Sequence, residues 1–375
     1  MALTTFKEYY DKYLKMGMAK ILQRINDTPE DKQPKLLYKV MLTSEQSLKD
    51  SWDSASLSTS VVSADVVAMD SPLPLKSRAR LARATGKIPK IGISFRKRES
   101  EIRDLLNAQA VGGAEAQIAT KLLADVDLCV KGIEVAKEVM FLQGLSTGQT
   151  LVKDEDSDGH GVRVDFGYSA EHTYTVGKKW SEAGATPISD MQVVLDAAST
   201  TGRPELVMLS RKALDNIRKS AEGKQVAMRY QGGAVVANVA DLPTPSRSVL
   251  VDALKDELGV DVRVVDSSFR VQTSDGKYKT IAPWEVANVV FLPSSVVGRL
   301  VWVYPVEKMR PAEDVIYTEG DHGTLVSVYH EKNPMAEVTM GQAHAIPVID
   351  GGDQVYLIET ETATTGSKKE TKAKA

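Results

Sequence analysis

A long amphipathic segment constrains the fold of this chain more than any other feature. Between residues 114 and 143 apolar side chains recur at steps of three and four and would form one stripe on a helix: Ile118, Leu122, Val126, Cys129, Ile133, Ala136 and Met140. At 1.5 Å per residue, the segment predicts a helix of about 45 Å, which is long for a globular enzyme domain. Gly144 and Gly148 predict where this helix ends. The pattern therefore favours a helix that serves as a spine for the fold.

The composition excludes several classes of protein. A chain of 375 residues predicts two or three domains, and its one cysteine excludes a disulfide scaffold and a CxxC site. We expect Cys129 to be buried and inert, in a protein that folds in a reducing compartment. Charged residues interrupt the first twenty positions, and no uncharged apolar stretch approaches the roughly 20 residues that cross a bilayer. We therefore expect a soluble protein with no secretory signal and no membrane partner.

The rest of the chain mixes helical and extended patterns. An additional amphipathic helix is predicted at residues 6–25 and a strand at 61–69, and two extended runs, 149–152 and 161–168, flank an acidic turn. Further helices are predicted at 187–198, 211–220 and 248–258, and further strands at 206–209, 262–265, 278–281, 286–292 and 300–304. This order indicates an α+β protein rather than regular βαβ units. The last residues, 366–375, are too polar to pack and are predicted to be disordered.

Near-neutral composition hides a concentrated positive charge. Residues 76–103 hold ten basic and two acidic residues, a local charge of +8, and the net charge of −3 leaves −11 for the remainder. Residues 86–94 are predicted to form a second extended run that leads the chain back. The whole segment therefore predicts a long excursion of two strands. Phe95 is the only aromatic residue among the cations, which disfavours stacking on single-stranded nucleic acid. We interpret the segment as a contact with an acidic surface on another copy of the chain, while nucleic-acid binding and a solvated loop stay open. The subunit-interface candidates are Lys76, Arg78, Arg80, Arg83, Lys87 and Lys90.

Two motifs suggest chemistry, and each has a structural alternative. Asp154, Asp156 and Asp158 follow the spacing of a calcium loop, but Asp165 replaces the usual glutamate and the flanks are extended. A solvated hairpin tip is therefore favoured over calcium. Ser146 lies in a G-x-S-x-G pattern, yet a helix precedes it and an extended run follows, the reverse of a nucleophile elbow. The end of a helix is the favoured interpretation.

Other functional signatures are missing from the sequence. The histidines show no spacing that suits a metal site: His160, His172, His322, His330 and His344. Neither a phosphate-binding loop nor a dinucleotide motif is present. We therefore predict no catalytic residue, no cofactor and no metal.

The order of the parts resembles a known family. The stretches that carry the resemblance are FLQGLSTG (141–148), VDFG (164–167), Trp180 ahead of the helix 187–198, ELVMLS (205–210), VVD (264–266), DGKY (275–278), VFLP (290–293) and QAHAIPV (342–348). They resemble the end of a spine helix, its following strand, the strands of an outer domain and a closing strand. Over about residues 35–360 the chain is similar to the major capsid protein of tailed phages, in particular the lambda-type capsid protein E family.

The resemblance implies an α+β Hong Kong 97-type phage capsid fold. Its parts would be an N-terminal arm (1–60), an extended loop (61–98), a peripheral domain with the spine helix (99–185), an axial domain (186–335), a return strand (336–362) and a disordered tail (363–375). It also implies a shell subunit, assembled in the host cytoplasm and found in the virion, that forms hexamers and pentamers. Portal, scaffolding or decoration proteins and DNA bound without sequence specificity would be its other partners.

Two other functions stay open at this point. A nanocompartment shell protein would share the fold. From a different class, a calcium-dependent or serine hydrolase would use Asp154, Asp156 and Asp158 or Ser146.

Overall fold

The computed structural model describes residues 36–57, 81–110, 115–152, 162–199, 202–232, 242–272 and 276–363. The helix predicted at 6–25, the strand predicted at 61–69 and the tail lie outside the described residues. The chain divides into two compact units, each built from separate stretches of sequence. Unit 1 takes its described residues from Met1–Asp53, Thr85–Phe141 and Gly298–Val348, and unit 2 from Ser54–Ala84, Leu142–Val297 and Ile349–Ala375.

The described helices and strands confirm the α+β prediction. The helices are α1 (Tyr38–Met41), α2 (Glu99–Ala110), α3 (Glu115–Thr147), α4 (Pro187–Ala198), α5 (Arg211–Lys219), α6 (Ala221–Tyr230), α7 (Arg247–Leu258) and α8 (Val306–Met309). The strands are β1 (Leu42–Gln46), β2 (Ser51–Leu57), β3 (Leu81–Lys87), β4 (Lys90–Arg98), β5 (Gln149–Val152), β6 (Val162–Asp165), β7 (Thr173–Val176), β8 (Leu206–Ser210), β9 (Asp261–Val265), β10 (Phe269–Gln272), β11 (Tyr278–Ile281), β12 (Asn288–Leu292), β13 (Gly298–Val303), β14 (Ile316–Glu319), β15 (Leu325–Lys332), β16 (Met335–Ile349) and β17 (Tyr356–Ala363).

The predicted long helix is confirmed as α3. Val126, Cys129, Ile133 and Met140 of the predicted stripe are buried. The helix continues past Gly144 and ends at Gly148, whose φ of +73° is a left-handed conformation that suits glycine. Gly144 has a different role, because a Cβ there would lie 2.6 Å from both the Phe166 ring and the Thr150 hydroxyl. The prediction that Gly144 stops the helix is therefore wrong, since packing rather than chain reversal requires this glycine.

Unit 1 contains a six-stranded sheet in the order β1-β13-β16-β15-β14, with β4 also paired to β16. The fifteen-residue strand β16 lies between antiparallel partners β15 and β4, which pair with it along its first half. It also approaches α3 closely: a Cβ on Gly341 would lie 2.7 Å from the Cβ of Cys129. A side chain at position 341 would therefore force the helix and the strand apart.

Unit 2 contains a five-stranded sheet in the order β7-β17-β12-β8-β9, and its core joins this sheet to α4, α5, α6 and α7. Serine caps begin three of these helices. The hydroxyls of Ser210, Ser220 and Ser246 accept hydrogen bonds from the backbone N–H groups of Ala213, Gly223 and Val249. Such caps satisfy donors that a helix leaves free at its start, typically contributing about 1 kcal/mol each. The local sequence therefore fixes where these helices begin.

We expect Gly341→Ala to destabilise the subunit by about 1–3 kcal/mol, because its new methyl group would overpack the contact with Cys129. The midpoint of urea unfolding measures this change. Gly92→Ala, on the neighbouring strand β4, is the matched control, since its Cβ would make an ordinary contact of 3.6 Å with the Gly341 carbonyl. Equal midpoints for the two variants would show that the close approach of α3 and β16 is not as described.

Candidate assembly site

The structure describes only part of the predicted cationic interface. Lys76, Arg78 and Arg80 lie outside the described residues, and Arg83 lies on β3 with its side chain outside the description. Lys87 and Lys90 are exposed. The Lys90 ammonium lies 3.8 Å from the Glu307 carboxylate of the same chain.

The predicted second extended run, 86–94, is divided between two strands, and residues 76–80 of the first run lie outside the described residues. Strand β3 pairs with β2, whereas β4 pairs with β16 in the six-stranded sheet of unit 1. Both strands carry cations, and neither sequence shows which strand is its partner. The cationic segment therefore leaves the two-stranded sheet of β2 and β3 after Lys87 and joins the six-stranded sheet of unit 1 at Lys90.

Four of the five cations from Lys90 to Arg103 form ion pairs with acidic residues of the same chain. Besides Lys90, the pairs are Arg96–Glu331 at 2.5 Å, Lys97–Asp125, and Arg103–Glu99 at 2.8 Å. The Lys90, Arg96 and Arg103 pairs are exposed and contribute about 0–1 kcal/mol each, whereas the Lys97 and Asp125 side chains are only 12% and 19% exposed. The local charge of +8 is thus partly compensated by the subunit itself.

The hairpin around the acidic motif is confirmed, since β5 and β6 pair antiparallel. Asp154, Asp156 and Asp158 lie outside the described residues. The Asp165 carboxylate accepts hydrogen bonds from the Gly167 N–H at 2.9 Å and the Gln149 amide at 3.2 Å. Among the described residues, no group of three potential metal ligands is present. The calcium hypothesis therefore stays untested at its three leading aspartates.

Ser146 is a buried structural residue in the last turn of α3. Its hydroxyl donates to the Gln143 carbonyl at 3.2 Å and accepts from the Glu285 N–H at 3.0 Å. Its carbonyl accepts from the Asn288 side chain at 2.8 Å. These contacts tie the end of the helix to the segment before β12, in agreement with the interpretation as a helix end.

Cys129, His172 and His322 have local contacts in the described structure, whereas His160 lies outside the described residues. Cys129 is fully buried, and burial raises the pKa of its thiol to about 12. The His172 ring stacks on Tyr356, and His322 Nδ1 lies 2.9 Å from the Ser44 hydroxyl. Cys129 is therefore inert at neutral pH, as predicted.

The sequence analysis missed a buried charge cluster on α3, formed by Glu134, Lys137 and Glu138. Their exposed fractions are 4%, 0% and 0%, although charged side chains are rarely buried without partners. Apolar residues outside the predicted stripe are the signal that this part of the helix is covered on several faces: Val130, Phe141, Leu142 and Leu145. Residue type predicts that these three charged side chains are exposed, and their burial depends on partners distant in sequence.

Glu134 and Lys137 form the paired half of this cluster. Glu134 accepts from the Tyr38 hydroxyl, from Lys39 at 2.8 Å and from Lys137 at 3.2 Å. Lys137 also donates to the Thr324 hydroxyl at 3.2 Å. Burial would raise the pKa of Glu134, but the two lysines and the tyrosine outweigh burial and lower it. Glu134 is thus ionised at neutral pH and contributes stability that is lost as pH falls below its ordinary range.

Glu138 forms the other half, and its partners are backbone groups. Its two carboxylate oxygens accept from the N–H groups of Leu37 at 3.0 Å and Tyr38 at 2.9 Å. Burial raises the pKa of Glu138 to about 7, while these two hydrogen bonds act in the opposite direction. Among the described residues, no lysine, arginine or histidine forms an ion pair with it. Residues 37 and 38 are therefore bound to α3 by a carboxyl group that titrates near neutrality.

Comparison with known proteins shows the fold. No protein-family model matches the sequence, and no curated protein resembles it significantly. No described helix is long and apolar enough to cross a membrane. A phage-related protein from Bordetella bronchiseptica RB50 is 13% identical with a TM-score of 0.50, and the match covers 93% of this chain and 98% of that one. A protein assigned as the capsid protein of a prophage of Escherichia coli CFT073 is 12% identical with a TM-score of 0.52, over 92% and 98% of the two chains. The chain therefore has the α+β fold of Hong Kong 97-type phage capsid proteins.

Proposed function

We propose that this chain is the major capsid protein of a tailed bacteriophage, whose copies assemble into an icosahedral shell around double-stranded DNA. The observation that carries the proposal is the capsid fold shared with the prophage protein over 92% of the chain. We also propose, on the sequence resemblance, that it belongs with the lambda-type capsid proteins. In this role the protein binds copies of itself and catalyses no reaction.

Exposed apolar side chains in unit 1 support self-association. Leu48 exposes 94% of its surface, Met309 71% and Val306 62%. Exposed apolar surface is common on single subunits, but side chains this accessible gain stability when a second protein covers them. In an assembled shell, neighbouring copies would contact each subunit on several sides and could cover such side chains.

The segments keep the shell roles that the resemblance implies. We propose the arm, extended loop, peripheral domain, axial domain and return strand at the boundaries given above, and hexamers and pentamers as the assembled groups. Portal, scaffolding or decoration proteins would bind the shell, which assembles in the host cytoplasm. With a net charge of −3, the subunit has no general attraction for DNA, so we propose enclosure without sequence-specific contact.

The cations before Lys90 are the proposed contact with a neighbouring copy. Lys76, Arg78, Arg80 and Arg83 precede the point where the segment joins the six-stranded sheet, and Lys87 is exposed beside it. Their charge complements the −11 of the remaining chain. Complementary charge mainly sets register and choice of partner, which repeated shell contacts require.

Sedimentation of the purified full-length chain tests the proposal. We expect one fast boundary of particles containing many copies, and nuclease-protected DNA inside particles isolated from an infected or induced host. A single boundary for the 40.8 kDa chain would contradict shell assembly and favour the hydrolase alternative. Particles that hold a cargo enzyme and no DNA would instead indicate a nanocompartment.

We expect Arg78→Glu, Arg80→Glu and Arg83→Glu together to leave a folded subunit that no longer forms particles, because the reversed charges would repel the acidic neighbour. Circular dichroism checks folding and sedimentation checks assembly. The control with the same charge change is Lys212→Glu, Lys219→Glu and Lys224→Glu, on helices α5 and α6. Normal shells from the arginine variant, or equal loss of assembly in both variants, would contradict a specific role for these arginines.

A further inference from the structure

We propose that Glu138 is a proton-controlled clasp that holds residues 36–41 on helix α3, firmly in acidic solution and progressively more loosely as the pH rises to neutral. This proposal concerns unit 1 of a single chain and does not depend on shell assembly. Residues 36–41 lie within the predicted N-terminal arm (1–60), so the clasp would set how firmly this part of the arm is anchored.

The first step of the argument is the geometry of attachment. Residues 36–41 contain α1, and Tyr38 and Met41 are 1% and 0% exposed. Apolar packing therefore holds the segment at any pH. Both oxygens of Glu138 bind its backbone N–H groups, at 3.0 and 2.9 Å, so detaching the segment would break both bonds and expose the carboxyl group to water.

The second step is the unequal distribution of cations within the buried charge cluster. Lys39 and Lys137 both pair with Glu134, at 2.8 and 3.2 Å, and the Tyr38 hydroxyl donates to the same carboxylate. Glu138 has backbone N–H groups as its partners instead. An ionised carboxylate without a cation is costly to bury, which is why the pKa of Glu138 is raised to about 7.

The third step is linkage. A carboxyl group whose pKa is higher in the attached state than in the detached state strengthens attachment at low pH, and this contribution is lost as pH rises through the higher value. With about 7 for the attached state and the ordinary value of 4.5 for the detached state, attachment weakens about tenfold between pH 6 and pH 8. Protonation of Glu138 thus closes the clasp, and ionisation loosens it.

Other titratable groups face the same region and must be separated from Glu138. They are Glu134 and Lys137 on α3, Tyr38 and Lys39 on the attached segment, and Asp321 and His322 before β15. Burial raises the pKa of Tyr38, and the Glu134 charge adds to this, so the hydroxyl stays neutral in this pH range. Burial lowers the pKa of Lys137 and of His322. Both groups remain in a Glu138→Gln variant, so any pH dependence that they cause would survive there.

Hydrogen exchange of the full-length chain tests the clasp directly. The readout is the protection of the peptide that contains residues 36–42, corrected at each pH for the exchange rate of the unfolded chain. We expect protection to fall about tenfold from pH 6 to pH 8 in the wild type and to stay nearly constant in Glu138→Gln. Helix α7 serves as an internal reference without such a step.

A second variant keeps the test decisive if Glu138→Gln does not fold. Tyr38→Phe removes the hydroxyl that donates to Glu134 and leaves the backbone bonds to Glu138. We expect it to lower protection at every pH while keeping the tenfold fall. A flat wild-type profile, protection that rises with pH, or the same fall in Glu138→Gln would each overturn the proposal.

Discussion

The burial of three charged side chains on one long helix is the constraint on which unit 1 depends. Glu134, Lys137 and Glu138 are covered on α3, so each needs a partner away from water. Those partners come from residues 37–39 and from Thr324, far apart in the sequence. Removing Glu134 would leave the Lys137 ammonium buried without its carboxylate, a loss that typically costs about 3–5 kcal/mol. The cluster therefore fixes the register of the N-terminal segment, the helix and β15 together.

Local signals predicted much of the fold. The period of α3, the helices α4, α5 and α7 and the pairing of β5 with β6 depend on residues close in sequence, and the structure confirms these elements. Periodicity also predicted the burial of Cys129. These features could be read because each depends on contacts within one helix or one hairpin.

Long-range pairing could not be predicted in the same way. Strands β3 and β4 both lie in the cationic segment, yet one pairs with β2 and the other with β16. Lys90, Arg96 and Lys97 therefore face acidic residues of their own chain, where the sequence suggested a neighbouring copy. The buried charge cluster was missed for the same reason, since its partners lie about a hundred or more positions from α3. The proposed interface between copies therefore keeps the cations before Lys90, which are Lys76, Arg78, Arg80, Arg83 and Lys87.

An electron cryo-microscopy reconstruction of particles formed by the full-length chain tests the central claim most directly. The account predicts a closed icosahedral shell built from repeated copies of this fold, with the arginines at 78, 80 and 83 against acidic side chains of a neighbouring copy. Separate subunits with no closed shell would contradict the claim of a capsid protein. A closed shell in which these arginines contact solvent or DNA alone would contradict the proposed contact between copies.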